Sequence, residues 1–142
     1  MKNVQDVMST DIAVCRKEDT LYEAAAKMRD RNVGVIPVCS ENKELMGVIT
    51  DRDLVLRGYA EKKPDTTTVQ EVMSDELYHA SQDTSVQEAA DMMAKKQIRR
   101  LPIVENGKLA GIVSLGDLSL EDKSNEAAGS ALEDISERPE IH

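Results

Sequence analysis

The chain has 142 residues, of which 40% are apolar and 32% charged, so it can form one domain of ordinary size with its own core. Its 18 basic and 27 acidic residues give a formal net charge of −9, which disfavours nucleic acid and anionic membranes as main partners. No apolar stretch approaches the roughly 20 residues of a membrane span, which excludes an integral membrane protein.

The first residues and the cysteines indicate the compartment. No basic, apolar and small leader opens the sequence, which argues against a cleaved secretory signal. Cys15 and Cys39 have neither C-x-x-C nor framework spacing, which fits a reduced, cytoplasmic protein. Together with His79 they raise the question of a soft-metal site. Cysteines in predicted strands are more often buried thiols than ligands, so we predict no metal site.

An internal repeat organises the chain. Residues 4–9 (VQDVMS) match residues 69–74 (VQEVMS), an offset of 65 that also aligns Pro37 with Pro102. After a one-residue deletion in a turn, the offset of 64 aligns residues 47–50 with 111–114. The gap falls in a predicted hairpin loop, which supports the alignment.

Both repeats predict the same elements in the same order. The S/T-x-x-E spacing that begins at Thr20 and at Ser85 marks a helix start in each. A β-branched run after each helix, followed by turn residues at 41–44 in the first repeat and Asn106-Gly107 in the second, indicates a hairpin in each. The predicted elements are a short strand (12–15 and 77–80), the capped helix, two hairpin strands (33–39 and 45–50; 98–104 and 109–114) and a second helix beginning near Asp51 or Gly116.

A single repeat of about 60 residues buries little apolar surface. We therefore expect an α+β fold in which two β-α-β-β-α repeats pack through their sheets, with pseudo-two-fold symmetry, into one globular module. The predicted boundaries are 1–60 for the first repeat, 61–68 for a charged linker, 69–120 for the second repeat and 121–142 for an acidic tail. In the tail, a helical spacing of apolar residues predicts a short helix, with a frayed solvated tail as the alternative. These apolar residues are Ala128, Ala131, Leu132 and Ile135.

The strongest functional signal is a twin motif at the end of the last strand of each repeat. Residues 47–53 read GVITDRD and residues 111–117 read GIVSLGD. The hydroxyls are those of Thr50 and Ser114, and the carboxylates three residues later are those of Asp53 and Asp117. One interpretation is helix capping, although Glu or Gln is the usual partner at that position.

The other interpretation is a nucleotide pocket, in which the aspartate accepts both ribose hydroxyls and the hydroxyl and free backbone N–H groups hold a phosphate. Spacing alone favours capping over nucleotide binding. Because the motif occurs twice and would create two related clefts, the preference for capping is smaller than for a single motif. One residue can serve both roles.

The order of these motifs, twice over, resembles a tandem pair of CBS (cystathionine β-synthase) domains, also called a Bateman module, over about residues 4–120. The resemblance rests on the V-x-x-V-M-S openings, the two proline-centred strands and the two G-h-h-[TS]-x-x-D motifs, and is closest to free-standing bacterial members. It implies clefts between the repeats that bind an adenosine-containing ligand such as AMP, ADP, ATP or S-adenosylmethionine, with no cofactor required.

The resemblance also implies roles for single residues. Asp53 and Asp117 would hold ribose, and Thr50 and Ser114 would lie near phosphate. Adenine would lie against Ala13 and Val33 on the Ser114 side, and against Tyr78 and Ile98 in the other cleft.

Arg99 and Arg100 would face phosphate, with solvation of a strand edge as the alternative. Their counterparts Gly34 and Val35 are uncharged, so we expect the two clefts to differ electrostatically.

The sequence therefore predicts a non-catalytic regulatory module that senses an adenine nucleotide. The resemblance also implies a homodimer. Because the sequence contains no recognisable effector domain, we expect it to signal in trans to an unidentified protein partner. The alternative is a protein-interaction or structural dimer whose clefts bind no nucleotide. An enzyme is disfavoured because no nucleophile and base are suitably arranged in the sequence.

Overall fold

A computed structural model of the chain describes residues 2–75 and 78–119. The chain divides into two compact units. The central unit is Ala13–Leu77, and the terminal unit combines Met1–Ile12 with Tyr78–His142.

Helices and strands alternate along the described residues, which confirms the predicted α+β class. The helices are α1 (Leu21–Arg31), α2 (Asp51–Asp53, continued by a π-helical segment at Leu54–Tyr59), α3 (Val69–Val72), α4 (Val86–Lys96) and α5 (Leu115–Ser119), with a 3-10 turn at Val4–Asp6. The strands are β1 (Val35–Cys39), β2 (Leu45–Thr50), β3 (Arg100–Glu105) and β4 (Lys108–Ser114).

Each unit contains one antiparallel hairpin, as predicted. β1 pairs with β2 in the central unit and β3 pairs with β4 in the terminal unit. Asn106 and Gly107 turn the second hairpin with φ values of 54° and 78°, the left-handed conformations that make an Asn-Gly pair favourable in a tight turn. The register places Val35 opposite Thr50 and Arg100 opposite Ser114.

The segment before each long helix joins the sheet at one residue only. Cys15 bridges Val38 and Ala80 bridges Ile103, both in parallel orientation. Among the described residues, the predicted short strands at 12–15 and 77–80 are therefore reduced to a single bridging residue each. In the first segment, the backbone carbonyl of Val14 accepts a hydrogen bond from Lys27 Nζ at 2.7 Å.

The two long helices begin where the capping pattern predicts. Thr20 Oγ1 accepts the backbone N–H of Glu23, and Ser85 Oγ accepts that of Glu88, each at 3.1 Å. These bonds satisfy N–H groups that the first turn of a helix leaves without an intrahelical partner.

The matched opening segments complete the sheets. Ser9 pairs with Ile112 of β4 in the terminal unit, and Ser74 pairs with Val48 of β2 in the central unit. The first segment therefore packs with the second sequence repeat, and the second segment packs with the first. The predicted boundaries follow the sequence repeat, whereas the compact units divide the chain after Ile12 and after Leu77.

Each unit has its own apolar core, built from matched positions. Ile36 and Leu101, which lie one repeat offset apart, are both fully buried. In the predicted linker, Thr67 is buried and its carbonyl accepts the N–H of Leu21 at 2.8 Å, so this segment packs on the start of α1. The predicted tail helix lies outside the described residues, and the mutual packing of the repeats stays a prediction.

Candidate functional site

The twin motifs form two matched junctions between a strand and a helix. At the first, the N–H of Thr50 donates to Asp53 Oδ2 and the N–H of Asp53 donates to Thr50 Oγ1, both at 3.0 Å. Ser114 and Asp117 exchange the same two bonds at 3.0 and 3.1 Å. The capping interpretation is confirmed at both junctions. Although Glu or Gln is the usual partner for the return bond, aspartate makes it at both junctions, at the first with an extended Thr50 backbone (ψ 161°).

Capping uses only part of each carboxylate. Oδ2 of Asp53 and Oδ2 of Asp117 accept the capping bonds, while Oδ1 of each has no hydrogen-bond donor among residues 2–75 and 78–119. Both side chains are half-buried. Each carboxylate is thus held in one orientation by the backbone and retains an oxygen that can accept from a ligand hydroxyl.

Two arginines lie at the terminal-unit junction. Arg100 is opposite Ser114 on the paired strand, and the carbonyl of Arg99 accepts the N–H of Leu115 at 3.1 Å. Arg99 is exposed and Arg100 half-buried. Within the described part of the chain, neither guanidinium forms an ion pair. Guanidinium groups without an acidic partner, on the strand end paired with Ser114, are suited to binding phosphate oxygens.

The central-unit junction has the same backbone and different charges. The carbonyl of Gly34 accepts the N–H of Asp51 at 2.9 Å, and Val35 lies opposite Thr50. A Cβ on Gly34 would lie 3.0 Å from Asp51 Oδ2, so the Asp51 carboxylate covers the site where the terminal unit carries an arginine. The two junctions therefore differ electrostatically at matched positions.

The predicted adenine contacts fall in both units. Tyr78 and Ile98 are half-buried and pack on the core of the terminal unit, and Val33 does so in the central unit. Ala13 is half-buried in the central unit. Lys96 is a neighbour of Tyr78 that the sequence did not predict, and its Nζ lies 4.9 Å from the centre of the Tyr78 ring. A lysine pair at a helix end gives no signal that one member covers an aromatic ring.

The cysteines are buried thiols, as their strand positions predict. Cys15 is fully buried and Cys39 is 3% exposed. Burial raises the pKa of Cys15 to about 11 and also raises the pKa of Cys39, so both are protonated and unreactive near neutral pH. His79 is exposed. Across the described residues, no three His, Cys, Asp or Glu side chains are grouped as metal ligands, and no helix there is long and apolar enough to cross a membrane.

Comparison with known proteins identifies a matching family and a similar bacterial protein. The model of the CBS domain family matches residues 4–58 and 69–122. A curated relative described as uncharacterized protein YlbB, from Bacillus subtilis (strain 168), is 51% identical over 138 residues, which cover 96% of this chain and 93% of that protein.

Two solved structures contain adenosine derivatives. CBSX2 in complex with AMP has a TM-score of 0.77 at 25% identity and covers 89% of this chain and 99% of that one. The CBS domain pair of protein MJ0100, in complex with 5′-methylthioadenosine and S-adenosyl-L-methionine, has a TM-score of 0.73 at 26% identity and covers 84% and 94%.

Proposed function

The chain belongs to the CBS domain family, and from this premise we propose that it is a non-catalytic regulatory module that binds an adenosine-containing ligand. One observation carries the proposal. Both junction aspartates are fixed by a capping bond through Oδ2 and keep Oδ1 for a ligand. The complexes of similar proteins with AMP and with S-adenosyl-L-methionine support this ligand class.

In this proposal each junction residue contacts a different part of the ligand. Asp53 and Asp117 accept the ribose hydroxyls, because an ionised carboxylate forms strong charge-assisted bonds with a diol. The hydroxyls of Thr50 and Ser114 lie on the phosphate side. Arg100 contacts phosphate through its guanidinium.

The apolar contacts accompany these polar ones. Ala13, Val33, Tyr78 and Ile98 provide the surface for adenine. Three of them pack on a core, which restricts their motion and lowers the entropic cost of ordering them around a base.

Regulation follows from binding. A ligand that prefers one arrangement of the protein shifts its population toward that arrangement. We propose that the module acts as a homodimer in the cytoplasm and passes this shift to a protein partner.

A ligand screen by thermal shift tests the proposal. AMP, ADP, ATP and S-adenosylmethionine are each added to the full chain. A ligand at about 100 times its Kd stabilises the folded state by roughly 2.7 kcal/mol, which raises Tm measurably. If none of the four raises Tm, the alternative of an interaction dimer without nucleotide is favoured.

Substitutions then test the ribose assignment. Asp117→Asn and Asp53→Asn keep an oxygen for the capping bond and remove the charge. Each should weaken binding at its own junction by about 1.5–3 kcal/mol, the range for hydrogen bonds to a charged group.

Asp6→Asn is the matched control. Asp6 Oδ2 accepts the N–H of Asn3 at 3.1 Å, so it has the same capping role away from both junctions. Affinity that is unchanged in both junction variants, or equally weakened in Asp6→Asn, would contradict the assignment.

A further inference from the structure

The two junction motifs carry opposite net charge. In the terminal unit, Arg99 and Arg100 accompany Asp117, which gives a local net charge of +1. In the central unit, the positions of the two arginines hold Gly34 and Val35, and no cation on β1 replaces them.

Asp51 increases the difference in net charge between the two motifs. Its counterpart one offset on is Leu115, which is apolar and 4% exposed, whereas Asp51 is exposed. With Asp53 and the exposed Arg52 included, the central motif carries a net charge of −1. The Asp51 carboxylate also lies 3.0 Å from a Cβ built on Gly34, so negative charge lies beside the backbone position that carries an arginine in the terminal unit.

We infer that the two motifs select ligands of different charge, an inference that rests on the proposed function. The terminal motif binds an adenosine ligand that carries phosphate. The central motif binds an adenosine derivative without net negative charge. Arg99, Arg100 and Asp51 are the residues that determine this selectivity.

The arginines favour phosphate for two reasons. A guanidinium matches two phosphate oxygens at once and forms charge-assisted bonds with them. Neither Arg99 nor Arg100 is engaged by an acid of the described chain, so binding breaks no internal ion pair there. In the central motif, Asp51 repels phosphate, which is discrimination by an unfavourable contact.

Calorimetric titration of two single variants separates the motifs. Asp53→Asn leaves the terminal motif intact, and Asp117→Asn leaves the central motif intact. The ligands are adenosine, AMP, ADP, ATP and the cationic S-adenosylmethionine, each at low and at high salt. With Asp53→Asn, AMP should bind at least about tenfold more tightly than adenosine, and added salt should reduce that preference. With Asp117→Asn, affinity should stay level or fall as phosphates are added.

Removal of the arginine charges tests their role. In the Asp53→Asn background, Arg99→Gln with Arg100→Gln should weaken AMP binding by about tenfold to a hundredfold and leave adenosine binding within about twofold. The matched control is Lys95→Gln with Lys108→Gln. It removes the same charge from two exposed positions of the same unit and should leave both affinities within about twofold.

A gain-of-function variant tests the central motif. Asp51→Leu installs the residue of the other repeat at an exposed position, which favours a folded product. In the Asp117→Asn background it should increase AMP affinity by several-fold with little change for adenosine. No gain there would contradict the role of Asp51.

The outcomes distinguish the inference from the proposed function. If adenosine and AMP bind equally well in both single variants, or if the arginine variant behaves like its lysine control, the charge inference is wrong while adenosine binding stands. If the wild-type chain binds none of the five ligands, the proposed function itself is wrong, and the inference with it.

Discussion

The central and terminal units have the same backbone arrangement, and each has an apolar core of its own, yet they differ where the candidate ligand contacts lie. Ile36 and Leu101 occupy matched positions and are both fully buried. At the position just before each of these residues, the central unit has Val35 and the terminal unit has Arg100. Positions that face the core accept only similar apolar volumes, whereas the strand end accepts glycine, valine or arginine without disturbing the hairpin.

This comparison separates what the fold requires from what a ligand would require. The capping bonds of Thr50 with Asp53 and of Ser114 with Asp117 are the same to within 0.1 Å. The fold alone is therefore enough to explain the motif. The inferred difference in ligand charge, in contrast, depends on the residues that differ between the units, and these are the residues to vary experimentally.

The largest expected effect tests whether the two cores contribute equally. Ile36→Ala and Leu101→Ala each remove a fully buried aliphatic side chain and should lower the free energy of unfolding by about 2–5 kcal/mol. Urea denaturation of both variants measures the losses. Leu56→Ala is the control, because Leu56 is 44% exposed and should lose much less. A loss under about 1 kcal/mol in one core variant alone would show that the cores are not equivalent.

A second prediction uses a titratable group that only the central unit has. Burial raises the pKa of Cys15 from 9.0 to about 11, and its counterpart is Ala80. The unfolded chain releases this proton at lower pH than the folded chain. The contribution of the Cys15 thiol to the free energy of unfolding is therefore fully present below pH 9. It falls by roughly 2–3 kcal/mol as the pH rises from 9 to 11.

The variant Cys15→Ala copies the terminal unit and isolates this contribution. Denaturation in reductant from pH 8 to 11 should show a smaller decline for the variant than for wild type. Parallel curves would mean that the thiol ionises as readily in the folded protein as in the unfolded chain.

A third prediction concerns the glycines against which the opening segments pack. A Cβ on Gly47 would lie 2.5 Å from the carbonyl oxygen of Ser74, whereas a Cβ on Gly111 would lie 2.5 Å from Met8 Sδ and 2.9 Å from the carbonyl oxygen of Ser9. Gly47→Ala should lower the free energy of unfolding by about 1–3 kcal/mol. Gly111→Ala should lower it less, because its nearest obstacle is a flexible side chain.

Denaturation of the two alanine variants ranks them. Gly116→Ala is the control, because a Cβ at Gly116 would lie 3.5 Å from the Ser114 hydroxyl oxygen, an ordinary contact. Equal losses at Gly47 and Gly111 would show that the backbone of the opening segment, and not the methionine, sets the limit.

Much of each unit could be predicted from local sequence patterns. The hairpins follow from the β-branched runs and the turn residues between them, and the long helices from the caps at Thr20 and Ser85. These signals are local, because a cap or a turn depends on residues within a few positions of each other.

The pairing of the opening segments could not be predicted. Residues 4–9 and 69–74 are nearly identical, so a repeat shows that they are alike without showing which sheet each one joins. In the folded protein Ser9 pairs with β4 and Ser74 pairs with β2. The proximity of the Asp51 carboxylate to Gly34 could not be predicted either, because it depends on the packing of the residue before β1 against the start of α2.

The smallest expected effect distinguishes two helix caps that look equivalent in sequence. The Glu23 carboxylate accepts both the N–H and the hydroxyl of Thr20, each at 3.1 Å, whereas the Glu88 carboxylate accepts the hydroxyl of Ser85. Thr20→Ala therefore leaves Glu23 attached to the backbone, while Ser85→Ala releases Glu88 from its cap. Each variant should cost about 0.5–2 kcal/mol, with the larger loss at Ser85.

Denaturation of the two alanine variants beside Ser85→Thr measures this difference. The threonine restores the hydroxyl and should recover most of the stability that Ser85→Ala loses. A larger loss at Thr20 would mean that its hydroxyl, and not the Glu23 bond to the backbone, holds the first turn of α1.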